Sequence, residues 1–184
     1  YSDQIFLATS GHLYPYQIRS VKVLKNNLEV VFRPIKPSDE EDMRRLFYRF
    51  SNESIYSRYF HTIKSMPHTK MQAYVNVDWS QEMSIVGLAE VRGRSRIIAE
   101  ARYEKIPADG YAEIVFVVDE EFQGLGIATY LYKMLYKLAK ERGIRGFVAD
   151  VLFSNIGMMK VFQKGDLPLK AHLEAGVYNL RIPF

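Results

Sequence analysis

The stretch most able to do chemistry is Val117-Val118-Asp119-Glu120-Glu121-Phe122-Gln123-Gly124-Leu125-Gly126-Ile127-Ala128-Thr129. An apolar run ends, a short polar segment turns, and two glycines open a long helical pattern. The first turn of a helix presents unpaired amides and a partial positive charge, which suits it to anions. Glycines let the backbone approach a diphosphate with no side chain in the way. From the residues alone the segment is either a phosphate cradle or an ordinary glycine-rich turn. A second candidate is Glu113, a carboxylate set among Ala112, Ile114 and Val115 on the run that leads into the loop.

Three nucleotide-type motifs compete for that loop. A P-loop needs G-x-x-x-x-G-K-[ST], and no such run occurs in the chain. A dinucleotide fingerprint needs G-x-G-x-x-G directly after a strand. Here Gly124 and Gly126 are followed by Thr129, and Asp119 to Gln123 intervene after the strand end. Asp150 could serve as the ribose-binding acid, but the residues after it are too few for the second half of that fold. The coenzyme A pattern Q/R-x-x-G-x-G/A is matched at every fixed position by Gln123, Gly126 and Ala128.

Other catalytic templates fail. His12, His61, His68 and His172 have no H-E-x-x-H arrangement and no zinc spacing, so no metal site is expected. Gly93-Arg94-Ser95-Arg96-Ile97 lacks the second glycine of a nucleophile elbow. With no cysteine there is no disulfide, thiolate metal site or catalytic thiol, which suits a reducing compartment, and the expectation is a cytoplasmic chain. The net charge of +4 is too weak to imply nucleic acid. The tightest basic cluster, Arg92-Gly93-Arg94-Ser95-Arg96, reads more simply as a solvated hairpin tip. The longest apolar run, Ile114 to Val118, is far short of the ~20 residues of a membrane span. At 184 residues, 48% of them apolar, the chain is long enough for one well-buried core.

The elements that must position these residues follow from periodicity. Residues 1–27 show little pattern and read as a linker or docking arm, with the domain proper over 28–184. A short strand is expected at Leu28 to Arg33. Ser38-Asp39-Glu40-Glu41 reads as a capping box opening a helix with Met43, Leu46, Phe47 and Phe50 on one face. Further helices are expected over Ser54 to Phe60 and from Pro67-His68-Thr69 to near Trp79. Met83 to Val91 and Ser95 to Tyr103 read as a hairpin, and Tyr111 to Val118 as a strand interior to a sheet. Ile127, Leu131, Met134, Leu135, Leu138 and Ala139 mark a helix from Leu125 that ends at Gly143. A strand over Gly146 to Leu152, a helix over Asn155 to Lys164 and a pair of strands over Ala171 to Ile182 complete the chain. The fold class is α+β, a mixed central sheet with helices on both faces.

With these segments in order, the sequence resembles the GNAT acyltransferase superfamily from about Leu28 to Phe184. In detail it also resembles bacterial protein-lysine acetyltransferase domains of the kind fused to acyl-CoA-metabolising modules. The resemblance is carried by the loop motif, by Arg33-Pro34-Ile35-Lys36-Pro37-Ser38-Asp39-Glu40 and by Glu53 to Phe60. It is carried as well by Ala112 to Asp119 and by Val151-Leu152-Phe153-Ser154-Asn155-Ile156-Gly157-Met158. It implies the GNAT acyl-CoA N-acyltransferase fold, with acetyl-CoA as cosubstrate and direct transfer in a ternary complex. The implied acceptor is a protein lysine, for example on an acyl-CoA-metabolising enzyme; no nucleic-acid or membrane partner is implied.

The same resemblance implies roles for single residues. The backbone of Phe116, Val117 and Val118 would hydrogen-bond the pantetheine arm. The amides of Gln123, Gly124, Leu125, Gly126, Ile127, Ala128 and Thr129 would hold the pyrophosphate. Asn155 would contact the coenzyme between strands, although Ser154 and Asn155 equally suit a helix N-cap. Glu113 would be the general base. A lysine of pKa near 10.4 is neutral in only about one molecule in 2,500 at pH 7, so its proton must be removed. Two departures stand out. Many members carry a tyrosine where this chain has Phe162, which cannot protonate a leaving thiolate. The usual Gly-Phe closing that helix is replaced by Lys164-Gly165-Asp166-Leu167. These slightly favour one alternative, a catalytically silent acyl-CoA-sensing domain of a fused metabolic enzyme, against which an intact Glu113 argues; a small-molecule amine acetyltransferase is the other alternative.

Overall fold

The computed structural model describes residues 14–49 and 68–184. The helix expected over Ser54 to Phe60 lies outside them. Eight strands form one sheet, β1 (Ser20–Val23), β2 (Glu29–Pro34), β3 (Glu82–Val91), β4 (Arg94–Lys105), β5 (Tyr111–Val118), β6 (Gly146–Leu152), β7 (Lys170–Glu174) and β8 (Val177–Pro183). Their spatial order is β1-β2-β3-β4-β5-β6-β8-β7. Among the described residues four α-helices accompany them, α1 (Glu40–Tyr48), α2 (His68–Val75), α3 (Ile127–Glu141) and α4 (Ile156–Gln163).

The sheet divides the core in two. Ile114, Val118, Ile127, Leu131, Leu135, Phe147 and Phe162 pack on the α3/α4 face. Met43, Leu46, Phe47, Met71, Val75, Val86, Ile97 and Val117 pack on the α1/α2 face. This is the mixed sheet with helices on both faces that the pattern predicts. Alternation along β5 follows: Ala112, Ile114, Phe116 and Val118 turn to α3/α4, while Val115 and Val117 turn to α1/α2. All pairs are antiparallel except β5–β6. That parallel pair is connected through α3, as a crossover requires.

The hairpin tip is as expected. Arg92 and Gly93 both have positive φ, +52° and +77°, the requirement of a two-residue turn matched to strand twist. Several expectations need correction. Residues 14–27 do not leave the domain unstructured, because β1 pairs with β2 as an edge strand. The Tyr14 hydroxyl also donates to the Pro34 carbonyl at 2.6 Å. Val21 and Val23 are exposed, so no buried face marks this strand in the sequence. Ser38 does not cap α1. A 3-10 turn over Pro37–Asp39 precedes the helix. The Asp39 carboxylate accepts Lys36 N–H at 2.7 Å and both Arg33 guanidinium nitrogens at 2.8 Å. α2 stops at Val75 rather than near Trp79, and α3 begins at Ile127 rather than Leu125.

Candidate active site

β5 and β6 pair only through Tyr111↔Gly146, Ala112↔Phe147 and Glu113↔Val148. Beyond Glu113 the two strands separate, so the β5 edge facing β6 has no strand partner from Ile114 onward. Into this splay opens a cleft of about 350 Å³. It is lined by Phe116, Val117, Val118, Gln123, Gly124, Gly126, Ile127, Ala128, Thr129 and Asn155 from the expected set. Leu125 does not line it; its side chain packs against the apolar core instead. Phe122, Gly157, Met158, Val161 and three lysines (Lys25, Lys160, Lys164) complete the wall.

The loop is fixed at both ends. Asp119 is buried where β5 stops; its N–H donates to Ile98 O at 2.8 Å and its carboxylate accepts Glu121 N–H at 3.1 Å. Arg49, just past α1, donates to Asp119 Oδ2 at 2.7 Å and to Ile97 O at 2.8 Å. The Gln123 side-chain amide donates back to Val118 O at 3.1 Å, so the motif glutamine shapes the turn with its side chain. Gly124 and Gly126 have φ of +79° and +86°, and a Cβ at either would meet nothing within 4 Å. Glycine is therefore needed for its backbone conformation, and the space beside it is open. Gly126 is the N-cap of α3 and offers no side-chain cap. The first amides of that helix are left to face the cleft, beside its partial positive charge. This is a fit for a diphosphate.

Asn155 has the capping role as well as a place on the wall: its Oδ1 accepts Met158 N–H at 3.1 Å. Phe162 is buried against Phe116 and Tyr132, with ring centroids 5.8 and 5.1 Å away. The Tyr132 hydroxyl is buried without a hydrogen-bond partner. Burial, with Tyr136 adding to it, pushes its pKa up to about 12.

Glu113 does not line the cleft. Register places it beside Glu104 on β4, which in turn lies beside Glu82 on β3. One and two steps along the same face of β4 are two charged residues that sequence reasoning missed, Arg102 (3% exposed) and Glu100 (1% exposed). Glu100 accepts from Tyr74 Oη at 2.5 Å, Ser84 Oγ at 2.5 Å and Arg102 Nε at 3.0 Å. Arg102 also donates to Glu82 at 3.2 Å and to Tyr74 O at 2.6 Å, with its guanidinium 3.6 Å from the Tyr74 ring centroid. Burial works against charge on Arg102, but Glu100, Tyr74 and Glu82 reverse that and raise its pKa. Burial raises the pKa of Glu82, Arg102 lowers it, and Glu104 and Glu100 raise it further. The signal for this network was present in Glu100-Ala-Arg-Tyr-Glu104, charged at every second residue as one strand face would be.

Among the described residues no group of three or more His, Asp or Glu side chains is placed to hold a metal ion. None of their helices is long and apolar enough to cross a membrane.

Comparison with known proteins agrees with this geometry. The GNAT domain of S. lividans PAT superposes with a TM-score of 0.79 at 30% identity, covering 94% of this chain and all of that one. Acetyltransferase Pat of Mycolicibacterium smegmatis is 29% identical over 136 residues, 72% of this chain but only 39% of that protein. Acetyltransferase PA5475 of Pseudomonas aeruginosa is 26% identical over 125 residues, 68% of this chain and 67% of that protein. The acetyltransferase (GNAT) family model matches residues 41–165, which takes in α1, the sheet from β3 to β6, the glycine loop and α4. A splayed parallel pair, a glycine-opened helix and a family match across both leave one assignment: the chain belongs to the GNAT family of acetyltransferases, whose members use acetyl-CoA.

Proposed function

We propose that this domain transfers the acetyl group of acetyl-CoA directly to the ε-amine of a lysine on a protein, with Glu113 as general base. The observation that carries the reading is the arrangement along β5. Glu113 stands where pairing with β6 ends, Phe116 to Val118 run along the cleft, and the glycine loop follows at once. Acetyl-CoA supplies the thioester. The unpaired edge of Phe116, Val117 and Val118 holds the pantetheine arm, the amides from Gln123 to Thr129 hold the pyrophosphate, and Asn155 bounds the opposite wall.

Coenzyme and acceptor then approach the splay from opposite faces. Ile114 and Phe116 face α3/α4, whereas Glu113, one residue out of phase, faces α1/α2. Glu113 takes the ammonium proton, the neutral nitrogen attacks the carbonyl carbon, and a β5 amide donates to the oxygen that becomes negative. The carbon–sulfur bond then breaks, the electron pair leaves with sulfur, and the nitrogen gives its second proton to water, leaving the neutral amide. Phe162 has no proton to give. The Tyr132 hydroxyl, at about 12, is a weaker acid than a thiol near 8.5 and makes a poor donor. The thiolate leaves as such and takes a proton from water.

The likeness to the PAT domain over nearly the whole chain supports a protein lysine as acceptor, with acyl-CoA-metabolising enzymes as the class the resemblance implies. The test is Glu113→Gln, which keeps the shape and removes the basicity. Loss of a general base costs about 10²–10⁴-fold, so transfer at pH 7 should fall by that much while acetyl-CoA affinity stays constant. Raising the pH to 9.5 should recover part of the loss, because the amine then supplies its own neutral form. Full activity of the variant at pH 7 would assign the base elsewhere.

A further inference from the structure

The β1–β2 hairpin forms part of the cleft wall. Its turn residue Lys25 lines the cleft, although it precedes the glycine loop by most of the domain's sequence. The turn is held in place. Leu24 is 4% exposed and packs in the same apolar cluster as Ile127 and Leu131 of α3. Leu24 N–H donates to Leu28 O at 2.8 Å, Asn27 N–H to Leu24 O at 2.9 Å, and Leu28 N–H to Asn26 Oδ1 at 3.2 Å. Tyr130, in the first turn of α3, anchors the rest of the hairpin. Its hydroxyl hydrogen-bonds the Ser20 hydroxyl, its ring lies 4.9 Å from Phe32, and the Lys22 ammonium sits 5.0 Å above it. The helix that opens the phosphate cradle thus also fixes where Lys25 stands.

The charge on the cleft wall is of one sign. Every charged side chain lining it is a lysine: Lys25 on the hairpin side, Lys160 on α4, and Lys164 one turn further along. Lys160 and Lys164 are at i,i+4 spacing, on one face of that helix, so cations stand on two walls with no carboxylate among the lining residues. Like charges gathered round one cleft focus its field on a ligand of high negative charge. A pyrophosphate is already met by the loop amides and the α3 N-terminus. The lysines are left for a further dianion.

We propose that Lys25, with Lys160 and Lys164, binds the phosphate on the coenzyme's ribose, so that the N-terminal hairpin makes the domain select coenzyme A over its dephospho form. The inference rests on the reading of this cleft as the coenzyme site.

The experiment is calorimetric binding of coenzyme A and of dephospho-coenzyme A to the full chain, in parallel with Lys25→Ala, Lys160→Ala, Lys164→Ala and Gly126→Val. The parent should bind coenzyme A about tenfold or more tighter than the dephospho form. Each exposed ion pair contributes up to about 1 kcal/mol, so each lysine variant should lose about three- to fivefold for coenzyme A. The same variants should change dephospho-coenzyme A affinity by less than about twofold. Lys25 is exposed, so its variant should keep the parent melting temperature. Equal weakening of both ligands by Lys25→Ala would overturn the assignment to the ribose phosphate. No change for either would remove the hairpin from the site. If the parent binds neither, or Gly126→Val binds both as the parent does, the coenzyme reading of the cleft itself fails.

Discussion

On the α3/α4 side of the β5–β6 splay, the groups that would face a ligand are main-chain amides, two glycines in the left-handed region and three lysines. The α1/α2 side carries carboxylates on β3, β4 and β5 and an arginine on β4; Glu82, Arg102 and Glu100 are tied to one another through their side chains, and Glu100 and Arg102 are buried. The first surface depends on backbone conformation within one short segment. The second depends on strands far apart in sequence being in register. A change that damages one should leave the other working, and this independence is what experiments can break.

The largest effect is expected on the side-chain face. Arg102→Met leaves Glu100 buried with two hydroxyl donors and no cation. Breaking a buried ion pair from one side costs about 3–5 kcal/mol. At about 2–4 °C per kcal/mol for a chain of this size, the melting temperature should fall by roughly 6–20 °C. Coenzyme affinity of the folded variant should stay within about twofold of the parent. Pairing the change with Glu100→Gln should restore part of the lost stability. A tenfold loss of coenzyme affinity in Arg102→Met would show the two faces to be coupled.

Gly126→Val probes the other face. Its φ of +86° is a region that a β-branched residue enters only under strain, costing about 1–3 kcal/mol. Two methyls would also stand in the open space where the pyrophosphate is expected. Coenzyme binding should weaken at least about tenfold, roughly 1.4 kcal/mol. Unchanged affinity in calorimetry would reduce the loop to a turn.

That contrast also explains what could be read from the amino acids. The loop was legible because Gln123, Gly126 and Ala128 form a local pattern within a few residues. The hairpin tip at Arg92-Gly93 and the strand Tyr111–Val118 were legible for the same reason. The network of Glu82, Glu100 and Arg102 was not, since β3–β4 register shifts at Gly87/Leu88 and only folding decides which residues face each other. Lys25 was hidden by distance along the chain. β1 was hidden because an edge strand needs no buried face, and only Leu24 beside it reaches the core.

The smallest effect is expected at Tyr132, between the cleft wall and the core. Its hydroxyl is buried with no partner, a state that costs about 1–3 kcal/mol. Tyr132→Phe should therefore leave the melting temperature equal or higher and the transfer rate unchanged. A tenfold drop in rate with coenzyme affinity intact would make Tyr132 the proton donor that Phe162 cannot be.

Acetyl transfer to a protein lysine can be read on the acceptor itself. The most direct measurement incubates the domain with acetyl-CoA and a panel of acyl-CoA-metabolising enzymes and small amines, with peptide mass spectrometry to locate acetyl groups. Acetyl-lysine is expected on at least one protein, formed in proportion to coenzyme A released and suppressed in Glu113→Gln. Saturable acetyl-CoA binding with no transfer to any protein or amine would contradict it and leave a sensing domain. Transfer to small amines alone would contradict it in favour of a small-molecule acetyltransferase.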